Sequence, residues 1–192
     1  MIKRESLLSL ETYARERNAF RAKVLAHKKN RSVHLGGHVT LQFEDELTIR
    51  YQVQEMLRIE RIFEEEGIRG ELEAYNPLIP NGRELVATLM FEIEDPARRA
   101  RVLASLGGVE ETVTLSFADE TIAAVPEADV DRTSAEGKAS SVQFLHFPFT
   151  ARQVEKFKQP GAKVTLAIGH EKYGHATALP ETVRQALARD FA

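Results

Sequence analysis

The second half of the chain carries one order of hydrophobic patterns twice. Residues 85–94, a largely apolar run rich in β-formers, read as a strand. Residues 96–106 read as a helix opening on a proline in its first turn, and residues 109–117 and 121–125 form a hairpin over Asp119-Glu120. Residues 141–149, 150–158, 163–169 and 176–179 then give strand, helix, strand, strand again. Ala97-Arg98 answers to Ala151-Arg152, and Ala124-Val125-Pro126-Glu127 answers to Ala178-Leu179-Pro180-Glu181 at the same spacing, while Val113-Thr114-Leu115 answers to Val164-Thr165-Leu166. A chain that repeats such a unit is confined to the α+β class. The expected fold is a mostly antiparallel sheet built from two strand-helix-strand-strand units, with helices packed on it.

The first half supplies those helices. Ser9 is placed to cap a helix over residues 9–30 that keeps Leu10, Tyr13, Phe20 and Val24 on one side. Leu41 and Phe43 alternate with Thr40, Gln42 and Glu44, the period of a half-buried strand. The period then changes: Ile49, Val53, Met56, Leu57, Ile59 and Phe63 recur at three and four, which predicts an amphipathic central helix over residues 46–66 with Asp45 as N-cap and Gly67 as its stop. A short helix over 68–75 ends at Asn76-Pro77. The whole reads as a single domain over 1–192: a basic N-terminal helix (1–33), a strand with the central helices (34–83), the first unit (84–126), a polar connector (127–139), and the second unit with a last helix from Pro180 (140–192).

Several stretches of the first half, Leu35-Gly36, Thr40 to Glu44, Tyr51-Gln52-Val53-Gln54-Glu55-Met56-Leu57-Arg58, Glu60-Arg61 and Tyr75-Asn76, together with Val142-Gln143-Phe144, resemble a bacterial family of uncharacterised proteins of about this length. The resemblance runs from about Tyr13 to the C-terminus. Members of that family are often encoded beside rubrerythrin-like proteins and iron-sulfur proteins with cysteine-rich repeats. The resemblance therefore implies a non-catalytic accessory or adaptor protein in a redox or oxidative-stress system. It brings no catalytic residues with it.

Composition narrows the chemistry further. Zero cysteines exclude disulfides, thiol catalysis and a cysteine-ligated zinc or iron-sulfur cluster on this chain. No apolar run is long enough to span a bilayer and the start lacks a signal-peptide pattern, so a soluble cytoplasmic chain without membrane insertion is expected. The net charge of -3 hides an asymmetry, nine Lys or Arg against three Glu through His34 and an acidic remainder. That basic arm has no interleaved aromatics for base stacking and no nucleic-acid motif, which argues against nucleic acid as partner. The cluster Lys28-Lys29-Asn30-Arg31 reads as positive charge complementing a helix C-terminus.

Two constellations remain as candidate sites. On the polar side of the central helix Arg50, Gln54, Arg58 and Arg61 fall at spacings that place them in one row. They form either a solvated face laced by pairs one turn apart or, because guanidinium forks bind carboxylates bidentately, a docking surface for an acidic partner. The second is a divalent-metal alternative. His170 and His175 bracket a four-residue hairpin loop that would set them opposite one another, and Glu92 and His146 hold equivalent places in the two units. An enzyme using Glu92, His146, His170 and His175 as ligands would follow from a pseudo-twofold arrangement, against simple turn histidines. His34 and His38 flank Gly36-Gly37, which breaks the helix a His-x-x-x-His pair needs and reads as a bend feeding the strand. No nucleophile elbow, phosphate-binding glycine loop or HExxH helix is present.

Overall fold

The computed structural model describes residues 1–127, 134 and 137–192. Helix α1 (Leu10–Lys28) starts where Ser9 Oγ accepts from the Thr12 amide at 3.2 Å, and it buries only Tyr13 and Val24. It lies along α2 (Glu46–Ile59), with the Phe20 and Tyr51 rings 6.0 Å apart. Between them the chain forms a hairpin of β1 (Ser32–Leu35) and β2 (Val39–Phe43). The bend expected at Gly36-Gly37 is the turn of this hairpin. Gly36 sits at φ 65°, and a Cβ there would fall 2.6 Å from the His175 ring and 2.7 Å from the Tyr173 hydroxyl, so both backbone sterics and close approach require glycine.

Asp45 caps α2 in a reciprocal box, its carboxylate taking the Thr48 amide while Thr48 Oγ1 takes the Asp45 amide. The helix ends earlier than the hydrophobic period implied. Arg61 adopts φ 54° and the Ile62 amide bonds Leu57 O at 2.9 Å, the reversed bond that closes a Schellman cap. A separate helix α3 (Glu65–Tyr75) then follows, so Gly67 lies inside α3 rather than ending α2.

The remaining elements are β3 (Glu84–Phe91), α4 (Pro96–Ala104), β4 (Val113–Phe117), β5 (Glu120–Ala123), β6 (Val125–Pro126), β7 (Val142–Pro148), α5 (Ala151–Lys158), β8 (Val164–His170), β9 (Tyr173–Ala178) and α6 (Glu181–Leu187). The fold is α+β with antiparallel pairing throughout the described strands, and the pairing is divided between a five-stranded sheet, β1-β2-β3-β7-β6, and a four-stranded sheet, β5-β4-β8-β9. The division arises at Ala124. Ala123 still pairs with Thr114 of β4, whereas Val125 pairs with His146 of β7, so one extended segment leaves the second sheet and joins the first. Like strands of the two units lie side by side, β3 with β7 and β4 with β8, and Leu115 stands opposite Leu166, its counterpart in the sequence comparison of the units. Most of the polar connector expected over 127–139 lies outside the described residues.

The main core lies between the sheets, around Leu41, Phe43, Leu85, Leu89, Leu115, Leu145, Phe147 and Leu166, all fully buried. Each such side chain contributes about 1.5–3 kcal/mol through burial. A second core covers the opposite face of the five-stranded sheet, where Val86 meets Ile49, Val53 and Leu57 of α2 and Ile68 and Leu72 of α3. The β2 strand of that sheet is therefore buried on both faces. Thr40, Gln42 and Glu44, which alternate as the solvent side of a half-buried strand, lie beneath the helical layer instead.

Candidate functional site

The polar row of α2 divides when its partners are followed. Arg50 pairs with Glu46 one turn back at 2.5 Å. Gln54 is 1% exposed and holds both backbone groups of Leu8, accepting from its amide at 2.6 Å and donating to its carbonyl at 3.3 Å. It fastens the N-terminal segment and offers nothing to a partner, a correction to its place in the row. Arg58 donates to Glu55 at 3.3 Å. Glu55 also receives Arg17 Nε at 2.7 Å, Arg17 Nη2 at 2.9 Å and the Tyr13 hydroxyl at 2.7 Å. The Arg17 bonds, opposed by burial and aided by Tyr13 and Arg58, hold the Glu55 carboxyl down at about 2. Burial, then the bond to Glu55, raises Tyr13 well above the usual tyrosine range. This cluster joins the basic arm to the central helix, so Arg17 and Arg58 share one side of the molecule.

Beyond Arg58 the side chains open to solvent. Ile59 is 57% exposed and Phe63 69%, at the corner where α2 gives way to α3, and Arg61 is exposed between them. Leu57, Ile62 and Ile68 line a shallow cavity of about 140 Å³ against Phe63. An exposed aromatic ring beside arginines is a composition enriched at protein interfaces.

Arg31 also departs from expectation. Rather than a solvated cation at a helix end it is 2% exposed, donating to Phe43 O at 3.0 Å and Glu44 O at 2.9 Å and pairing with Asp190 at 2.5 Å. Asp45 stands 3.6 Å from Arg31 and 2.5 Å from His27. Burial works against ionisation of Asp45, but Arg31, the Thr48 amide and His27 together hold its carboxyl below the ordinary value. The sequence signal for Arg31 was its place one residue before a strand, where a long side chain reaches over the hairpin. Its partner lies 159 residues away.

Above the five-stranded sheet, Glu44 is 7% exposed and accepts from Thr88 Oγ1 at 2.7 Å and Thr48 Oγ1 at 2.5 Å. It lines a cavity of about 250 Å³ between α2, the sheet and Tyr75.

The four residues considered as metal ligands do not converge. The β8–β9 turn is Glu171-Lys172, two residues rather than four, so His170 pairs with Tyr173 and His175 with Ile168 instead of facing each other. His146 lies opposite Val86, six residues from Glu92 along the sheet, about 20 Å at the rise of a strand. Both ring nitrogens of His146 are engaged, at 2.9 Å with Glu84 and 2.7 Å with Glu127, while Glu92 accepts from Thr40 Oγ1 at 2.6 Å. Among the described residues no group of three or more His, Asp or Glu side chains is placed to hold a metal ion.

The fold and its surfaces define a two-sheet α+β protein with a helical layer over one sheet, and no helix among the described residues is long and apolar enough to cross a membrane. By sequence the chain belongs to the family described as "Protein of unknown function (DUF3501)", whose model matches residues 1–191. It is similar to a novel protein of unknown function from Burkholderia pseudomallei K96243, known from a crystal structure: 43% identity, TM-score 0.93, covering 100% of this chain and 99% of that one. No curated protein matches it.

Proposed function

We propose that this chain is a non-catalytic accessory or adaptor protein, and that its partner is an acidic surface on a rubrerythrin-like or iron-sulfur redox protein. The redox part rests on the family resemblance. The observation that carries the adaptor part is the α2–α3 corner, where Ile59 and Phe63 stand exposed beside Arg58 and Arg61. A further support is Arg61 itself, a non-glycine residue held at φ 54° where glycine is less strained. Glu60 and Glu64 flank the corner, so the apolar pair supplies the contact energy. Charge complementarity comes from α1 alongside, where Arg15, Arg21 and Lys23 are exposed and steer encounter with a negative surface. Nucleic acid fits less well, because Arg4, Arg17 and Arg31 of the basic arm are taken up by Glu65, Glu55 and Asp190.

The test is binding of the purified chain to a rubrerythrin-like protein from the same organism, measured by biolayer interferometry at fixed salt. Phe63→Ser and Arg61→Glu are each expected to weaken binding at least tenfold without loss of fold, since both side chains lie in solvent. Val125→Ser, an exposed apolar change elsewhere on the surface, is the control and leaves affinity unchanged. Arg58→Glu is a poorer probe, because it sets a second carboxylate against Glu55 and disturbs the fold. Equal affinity of parent and Phe63→Ser removes the corner as the docking site, and absence of binding removes the redox partner.

A further inference from the structure

The cavity beside Glu44 is separate from the docking corner and has its own chemistry. Its floor is a carboxylate 7% exposed whose side-chain partners are two neutral hydroxyls, Thr48 and Thr88. No ion pair among the described residues engages Glu44, although its neighbours Asp45, Glu46 and Glu55 all have cationic partners. A carboxylate oxygen has two acceptor directions, so each Glu44 oxygen retains one after its threonine bond. An ionised carboxylate withdrawn from water without a cation is costly, and a positively charged group entering the cavity relieves that cost. The walls are mainly apolar, with Ile49, Leu78, Met90 and the rings of Tyr75 and Phe144, beside the amides of Gln42 and Gln52. Tyr75, Leu78 and Phe144 also border an adjoining cavity of about 520 Å³, so a ligand body has room to extend past them.

Small-molecule sites combine such apolar walls with a few placed polar groups that fix orientation. We infer that the cavity binds a protonated primary amine carrying a compact apolar or aromatic body, with the ammonium on Glu44 and the body against Tyr75, Met90 and Phe144. An ammonium suits the floor because its three donors reach both free acceptor directions. Lys28 lines the same cavity and is in no ion pair among the described residues, so an anionic tail on the ligand, as in an apolar amino acid, meets a cation there.

The experiment is calorimetric titration of the full chain with phenethylamine and L-phenylalanine, and with 2-phenylethanol as the uncharged match. At least one of the two amines is expected to bind at least tenfold more tightly than the alcohol. Glu44→Gln, which keeps the shape, removes the charge and reverses one of the two threonine bonds, should erase that difference. Met90→Trp should fill the cavity and abolish binding of all three. If Glu44→Gln does not fold, amide shifts in the parent protein on adding phenethylamine decide instead, with changes expected at Thr48, Tyr75 and Thr88. Binding of neither amine, alcohol affinity equal to the amines, undiminished amine binding by Glu44→Gln, or shifts confined to other residues each overturns the assignment.

Discussion

Replacing Glu55 with Gln isolates the charge that joins α1 to α2. The carboxylate gathers Arg17 through two bonds, Tyr13 and Arg58, with only 13% of its side chain exposed. Its carboxyl is held at about 2 against 4.5 for an ordinary glutamate. That difference corresponds to about 3 kcal/mol at neutral pH, reduced to about 2 kcal/mol once the partial exposure of Arg17 and Arg58 is allowed for. Because the folded value is depressed, the stabilisation is fully present above about pH 4.5 and fades as pH falls toward 2. Urea unfolding of parent and Glu55→Gln should therefore differ by about 2 kcal/mol at pH 7 and by less than half as much near pH 3, with equal m-values. A difference below about 0.5 kcal/mol at pH 7, or one that persists undiminished at pH 3, would refute the claim that this ion-pair cluster anchors α1.

Three further outcomes follow from the backbone and the buried charges. Gly36→Ala should cost at least about 2 kcal/mol in chemical denaturation, from a left-handed backbone position combined with a Cβ pressed on His175 and Tyr173. Arg61→Gly should instead stabilise by about 1 kcal/mol, since only the φ 54° strain is relieved, and a drop in melting temperature would show that the arginine side chain holds the corner together. Asp190→Asn removes the nearer of the two carboxylates facing buried Arg31, leaving Asp45 at 3.6 Å, and should cost about 2 kcal/mol, readable in the same urea series.

Local chemistry made much of the architecture legible. Caps at Ser9 and Asp45 fixed two helix starts, Pro96 a third, and β-prone runs bounded by turn residues placed the strands of both units to within a few residues. What escaped depended on contacts distant in sequence. Nothing near Gln54 announces that it binds the backbone of Leu8, and nothing near Thr40, Gln42 and Glu44 says that a helical layer will cover them. Their burial is tolerated because each of their polar atoms has at least one partner among Ser32, Arg31, Thr48, Thr88 and Glu92, although each Glu44 oxygen keeps one acceptor direction open. The end of α2 was hidden for a different reason: its left-handed residue is Arg61, and the apolar period runs through the break to Phe63. The histidine constellation failed on the length of one turn and on the distance between the ends of a strand. The proposed corner was partly visible, because Arg58 and Arg61 stood out by spacing, but the exposure of Ile59 and Phe63 was hidden by the apolar stripe they continue in sequence.

The segment from Glu120 to Glu127 has a dynamic consequence. It pairs with β4 on one side of Ala124 and with β7 on the other, and it ends where Glu127 meets His146 and its amide bonds Phe144 O. Neither sheet can release that segment without loosening the edge of the other. Opening there is a shared event, so amides of β4 and β7 that are protected by it should exchange with deuterium at a common rate, although they belong to different sheets. One segment thereby ties the edges of two sheets together.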